Sequence, residues 1–392
     1  MANEPSTAST VSGTRFVFLD VLRAVAVSLV MYCHVVGVWL HQHGVHSILD
    51  GAADPLAFAL NVGNFGVVLF FLVSGFIVTH TGFSERPRQY AAKRLLRIYP
   101  MLAVAVLLSA GLFTIGLHPL TTGDGTEITP GSLVANISLA NYLMAPRVVL
   151  VDVGWTLIIE VLFYALLLAA LPLLRRAVWP VIAGELTVVA AILATSHLGG
   201  PTYALFAVNV GYLPALLLGQ AIWASWSRRI PLWTGAALAV AAAAEYVWAG
   251  IPGMGRQPTV YHYNLTLALG VVVFLSGLLA ERKLRRIKVI GYLADRSYSL
   301  YLLHALLAIS LMNVLYPRIG YPAALAAGVA VTLLGAEAGY RWVERPSMRL
   351  ARRWSTRYAA PGPPGKHPPA HPEPCPATAA NPPRPAGPPS AR

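Results

Sequence analysis

Apolar residues in this chain gather into runs of about twenty, the length that crosses a bilayer as a helix, separated by short polar stretches. By that measure about ten spans are predicted, near 17–40, 58–80, 97–117, 154–174, 178–196, 203–225, 231–249, 264–280, 298–315 and 322–342. The first run is long, carries Asp20 and Arg23, has no small-residue cleavage site and is followed by many similar segments, so it reads as a retained span rather than a signal peptide.

An even number of spans puts both termini on one side, and the loop charges say which. The loops after even-numbered spans hold Arg86, Arg88, Lys93, Arg94 and Arg97, then Arg175 and Arg176, then Arg228 and Arg229, then Arg282, Lys283, Arg285, Arg286 and Lys288. The alternate loops hold only Arg147, Arg256 and Arg318. Because basic loops stay in the cytoplasm, this alternation places both termini there, in a multi-pass protein of the inner membrane.

Composition agrees. Of 392 residues, 56% are hydrophobic and only 11% charged, a balance foreign to soluble globular chains. The net charge of +13 would suggest nucleic acid in a soluble protein, but here the basic residues lie between apolar runs and set topology. The bilayer is the expected partner, and nucleic acid is not. Cys33 and Cys375 are too few and too differently placed for a disulfide framework. The fold expected is all-α, about ten transmembrane helices around a polar cavity. Its parts are an N-terminal tail (1–15), a transmembrane domain (16–347) and a Pro/Ala-rich disordered tail (348–392). The external loop 118–153, with Asp124, reads equally as a lid or a connector.

Ionisable groups at membrane depth are costly and mark function. The first span carries Asp20, Arg23 and His34. His34 follows Arg23 by eleven positions, which returns a helix to nearly the same face about 16 Å further on, so the two line one stripe of a polar shaft. Asp20, three residues before Arg23, is spaced to interact with it. The fourth span runs oppositely and places Glu160 near the depth of His34, where a carboxylate would orient an imidazole general base. A bland reading stands beside each: His34 as a helix-packing histidine, Glu160 as a protonated packing carboxyl. Glu185, Glu245 and Glu337 read as interior packing or cavity residues.

Several other residues compete for attention. Ser74 beside Gly75 does not sit in a nucleophile elbow and reads first as a small residue for close helix packing. Lys93, Arg94 and Arg97 stand at the edge of the third span, where they could grip phosphates or simply face anionic lipid. Cys33 points about 100° away from His34. His41, His43 and His46 have no carboxylate or cysteine to complete a metal site, and no metal is expected. His304 is placed in the inner half of the ninth span, and Glu344 at the cytoplasmic surface before Pro346.

Six blocks in order, FLDVLRAVAVSLVMYCH, FFLVSGFIVT, RLLRIYP, WTLIIEVLFY, SYSLYLLH and VERP, resemble the acyltransferase-3 membrane O-acyltransferases. Arg23 and His34 stand for that family's Arg-x10-His. The resemblance implies an acyl-coenzyme A donor, usually acetyl-coenzyme A, presented from the cytoplasm. It implies a hydroxyl acceptor on a glycan, glycolipid or macrolide-like product. On this reading His34 is the general base, or carries a transient acyl group, with Glu160 and Asp20 in the catalytic set. Arg23, Arg94, Arg97 and Ser74 belong to the donor site. The fourth-span block has a single carboxylate where relatives often carry two, and a stand-alone enzyme without an appended hydrolase-like domain is expected. The rival from another class is a proton-coupled transporter of a small solute or glycolipid, since buried His, Arg and Glu also build proton relays. It would be favoured by internal repeats, and none is found. A scaffold without chemistry leaves the buried charges unexplained.

Overall fold

The computed structural model describes residues 15–43, 61–117, 128–144, 148–251 and 260–357, and among them it is helical with no β-strand. We number the helices α1 (Val17–Tyr32), α2 (Val62–Ser84), α3 (Pro87–Thr114), α4 (Pro130–Ser138), α5 (Trp155–Leu174), α6 (Val178–Ala194) and α7 (Pro201–Val210). There follow α8 (Leu213–Trp226), α9 (Leu232–Ala249), α10 (Val260–Ala280), α11 (Lys288–His304), α12 (Ser310–Gly339) and α13 (Arg345–Arg357). Helix α1 continues through a π-helical turn, Cys33–Val38, into Trp39–His43. Two more π-helical turns, Ala305–Ile309 and Tyr340–Glu344, join α11 to α12 and α12 to α13.

Among the described residues, seven helical stretches are long and apolar enough to cross a membrane, and two shorter apolar helices, Val178–Ala194 and Asn264–Ala280, accompany them. The expected count of about ten is thus not established. The seventh stretch is a continuous tract, Lys288–Trp354, where separate spans near 298–315 and 322–342 were expected. It breaks its helical path once, at Gly320 (φ 74°, ψ 171°), between Pro317 and Pro322. A left-handed φ there is available cheaply only to glycine. Helix α13 also runs past the expected domain boundary at 347; residues from 358 onward lie outside the described set.

Helix α2 is the centre of the bundle: 78% of its apolar window is buried, against 33% for α1. It packs on α1, α8 and α10. Its contact with α8 is made by glycines on both sides. A Cβ at Gly75 would stand 1.9 Å from the Leu216 carbonyl oxygen, and one at Gly219 would stand 2.4 Å from the Leu72 carbonyl oxygen. Lipid supplies no hydrophobic drive between helices, so this close backbone approach carries the packing.

Polar side chains then tie helices together where water is absent. Asn64 donates to Thr266 (2.6 Å), Trp39 to Asn313 (2.8 Å) and Trp223 to His80 (3.2 Å). The start of α1 is held by Glu281, whose carboxylate accepts from the free amides of Val17 (2.9 Å) and Phe18 (2.7 Å). Glu185 is buried, and Glu337 pairs with Arg296 and Arg341; neither lines the cavity described below.

Gly75→Ala should destabilise the protein by about 1–3 kcal/mol, whereas Gly111→Ala, with nothing within 4 Å of its Cβ, should not. Thermal unfolding in detergent compares the two, and equal melting temperatures would contradict the glycine contact.

Candidate active site

A cavity of about 680 Å³ opens among α1, α2, α3, α5, α11 and α13. Arg23, Ser74, Arg94, Arg97 and Glu160 all line it. Their helices bring them together from distant parts of the chain, because each is a polar position on an otherwise apolar span and turns to the one place that is not lipid. Ser74 and Tyr164 lie within hydrogen-bonding reach of Glu160, the latter at 3.3 Å. The Ser74–Gly75 pair therefore divides its labour: glycine packs on α8 and serine faces the cavity.

The cations differ in how they are satisfied. Arg97 is paired with Glu344 and lies 5.1 Å from the Tyr298 ring centroid. Glu344, expected at the surface, is 3% exposed and also accepts from Ser299 (2.9 Å). Lys93 pairs with Glu85 at 2.6 Å. Arg94 donates to Thr81 (2.6 Å) and stacks near Tyr90 and Tyr164. Among the described residues, Arg23 makes no hydrogen bond or ion pair. Its expected partner Asp20 is taken by Arg15 (2.6 Å), which also holds Asp295 (2.6 Å), and Asp20 does not line the cavity.

His34 lies at the far end, inside the π-helical turn of α1, and its surroundings correct the expected depth match. The carboxylate beside it is that of Asp152, with Oδ2 3.9 Å from His34 Nε2, and not that of Glu160. Glu160 follows Asp152 by eight residues, roughly 12 Å along a helix, and sits among the arginines. The reason is local. Residues 148–153, assigned to an external loop, fold back into the bundle: Val149, Leu150, Val151 and Val153 are each at most 2% exposed. Ser109 donates to the Leu150 carbonyl, Asn136 accepts from the Leu150 amide (2.9 Å), and Tyr142 donates to the Val151 carbonyl (2.6 Å). This part of the loop is the mount for Asp152; Asp124 lies outside the described residues.

The second neighbour of His34 is His304, whose Nε2 is 3.2 Å from His34 Nδ1. It was expected in the opposite half of the membrane. Helix α11 begins at Lys288 rather than near 298, so His304 is its last residue and reaches the His34 end. The hydrogen bonds assign the tautomers. His304 Nδ1 faces the Tyr301 carbonyl (2.7 Å) and His34 Nδ1 faces the Val30 carbonyl (2.9 Å). Carbonyls only accept, so both Nδ1 atoms carry hydrogen. His304 Nε2 is then an acceptor for His34 Nδ1–H, and His34 Nε2 is the ring nitrogen turned towards the Asp152 carboxylate. With 20% of its side chain exposed, His34 is accessible, while His304 is wholly buried.

His34 does not line the cavity, so Arg23 and His34 do not share one open shaft. Tyr301 adjoins both regions. It lines the cavity together with Thr156 and Phe70, its hydroxyl bonds Thr156 (2.8 Å) and the Val153 carbonyl (3.1 Å), and its ring centroid lies 6.1 Å from that of His304. Of the competing residues, Cys33 turns its sulfur towards Gly63, and His43 stacks on Trp39 at 4.0 Å. His46 and the side chain of His41 fall outside the described residues.

A family model described as an acyltransferase domain matches residues 16–340, nearly the whole membrane region. The chain belongs to the acyltransferase-3 family. Its similarity to the exopolysaccharide production protein ExoZ of Rhizobium meliloti (strain 1021) is 30% identity over 78% of this chain and 96% of that protein. Nodulation protein 10 of Rhizobium leguminosarum bv. viciae is 26% identical over 84% of this chain and 93% of its own length. No solved structure matches. Membership of the acyltransferase-3 family decides for a membrane acyltransferase over the transporter reading.

If Asp152 serves His34 and Glu160 serves the cavity, their loss should differ in kind. Asp152→Asn should lower kcat about 10- to 100-fold with little change in donor KM, and Glu160→Gln should act chiefly on donor KM. Steady-state kinetics separate them; the same pattern from both would contradict the division.

Proposed function

We propose that the enzyme transfers an acyl group, acetyl in the simplest case, from acyl-coenzyme A to a hydroxyl of a polysaccharide or other glycosylated acceptor. The observation that carries this reading is His34 Nε2, an accessible imidazole nitrogen that the contacts to Val30 and His304 leave free, set 3.9 Å from Asp152. The proposed acceptor class is supported by the similarity to a protein of exopolysaccharide production and to a nodulation protein.

In the proposed step the acceptor hydroxyl gives its proton to His34 Nε2 as its oxygen attacks the thioester carbonyl. Asp152 stabilises the imidazolium, and His304 holds the ring from the other side. The tetrahedral adduct collapses with loss of the thiolate, which takes the proton from His34, leaving an ester and a thiol. Arg23 supplies an unsatisfied guanidinium for the donor's phosphates, since guanidinium matches phosphate through two parallel hydrogen bonds. Ser74, Arg94, Arg97 and Glu160 shape the same donor cavity. The donor's long thioester arm must pass Tyr301, so the bond to Thr156 opens during the cycle. We further assign residues 16–347 as the catalytic membrane domain, in the inner membrane with both termini cytoplasmic and the donor cavity opening to that side. The loop-charge alternation supports this orientation.

His34→Ala should abolish acyl transfer in washed membranes while expression and insertion persist, and Arg23→Gln should raise donor KM about tenfold or more with acceptor KM little changed. Mass spectrometry of glycans from cells with and without the enzyme reads the product as one added acyl unit. Full activity of the His34 variant would remove it from the mechanism.

A further inference from the structure

Helix α13 lies beyond the residues matched by the family model, and of the motif blocks only the end of VERP, Arg345 and Pro346, reaches into its first turn. It nevertheless builds the cavity mouth: Arg345, Met348, Arg349 and Arg352 all line the same space as Arg23 and Glu160. Steps of four and three residues put the three arginines on one helical face. Successive residues on a helix are about 100° apart, so Leu350 and Trp354 fall on the opposite face, where they are 42% and 49% exposed. Ala351 is buried where α13 packs along α3. The helix thus keeps its apolar edge away from the cavity and its cations towards it. An amphipathic helix at a membrane surface lays its apolar side, often with Trp, into the lipid. That geometry leaves the arginines facing the cavity rather than the bilayer.

The cavity's charges do not balance. Basic lining residues outnumber acidic ones seven to four. The acidic ones are mostly engaged: Glu85 with Lys93, Glu344 with Arg97, Asp295 with Arg15. Among the described residues, Arg345 and Arg349 make no hydrogen bond or ion pair, as is also true of Arg23 deeper in. A surplus of unpaired guanidinium groups, two of them about 6 Å apart along the helix axis, suits a ligand carrying several phosphates.

We propose that Arg345, Arg349 and Arg352 form a phosphate-binding rim that holds the phosphate-bearing head of the acyl donor at the cavity mouth. This rests on the acyl-coenzyme A reading of the cavity. The rim fixes the end of the donor remote from the thioester, so it contributes to donor affinity and leaves the chemistry at His34 untouched.

The test is calorimetric binding of coenzyme A to the full-length protein in nanodiscs of phosphatidylcholine alone. Arg345→Gln/Arg349→Gln should lose at least about tenfold in affinity and show a shallower dependence on salt. Leu350→Gln/Trp354→Gln on the opposite face should bind as the wild type does. Elution as a single monodisperse species checks folding, and Arg349→Gln alone, with about a threefold loss expected, serves if the double variant fails it. Wild-type affinity in the folded arginine variant would overturn the rim. So would a loss seen only in discs containing phosphatidylglycerol, which would assign the arginines to lipid headgroups. Failure of the wild type itself to bind coenzyme A would instead sink the donor reading, and the rim with it.

Discussion

Hydrocarbon offers no hydrogen bonds, so each polar group this chain carries at bilayer depth must find its partner within the bundle or face a cavity. That constraint sorts the side chains. Arg23, Arg94 and Arg97 collect with Glu160 around a single space between α1, α3, α5 and α13, and His34 and His304 collect with Asp152 at the other end of α1. Helix α2 can sit between them with so little polar surface because its glycines let α8 approach to backbone contact. The apolar contact frees the neighbouring helices to turn their polar edges towards the cavity.

The π-helical turns give the sorting its local means. One contains His34, the second follows His304 directly, and the third ends at Glu344. Such a turn inserts a residue into the helical repeat and is often found at functional sites, because it re-aims side chains without breaking the span. Here the wide turns of α1 and of the α11–α12 junction pack against each other and bring the imidazoles within hydrogen-bonding distance. The third carries the buried carboxylate that neutralises Arg97.

Much of this was legible in the chain. Arg23, Ser74, Arg94, Arg97 and Glu160 stand out as polar positions in apolar runs, and all line the cavity. Acyltransferase membership was carried by motif blocks that depend on no depth estimate, and the family match bears it out. Depth was less legible, for physical reasons. Hydropathy marks a helix only where it is apolar, so the polar opening of α11, KVIGYLADRS, was read as loop and His304 was put a helix half too low. The segment leading into Asp152 has no helical period; it is held by hydrogen bonds with Ser109, Asn136 and Tyr142, which no local pattern announces. Helix α13 has no apolar run, and from residue 348 onward the chain was read as part of a disordered tail.

The separation of the cavity from the histidines has a chemical sense within the proposed reaction. A thioester next to an unhindered base and water would be hydrolysed, and a site that excludes water until both substrates are present avoids that loss. Tyr301 is well placed for such a partition, since its hydroxyl is satisfied by Thr156 and the Val153 carbonyl while its ring lies 6.1 Å from that of His304. Those two bonds are neutral, each contributing about 1 kcal/mol net, so they are weak enough for donor binding to offset. Arg23, roughly 16 Å from His34 along α1, would then anchor the donor far enough away that only an extended arm displaces the tyrosine. The eleven-residue spacing of the two residues is, on this argument, a distance requirement: it keeps the anion site and the base on opposite sides of a closure that the donor itself must open.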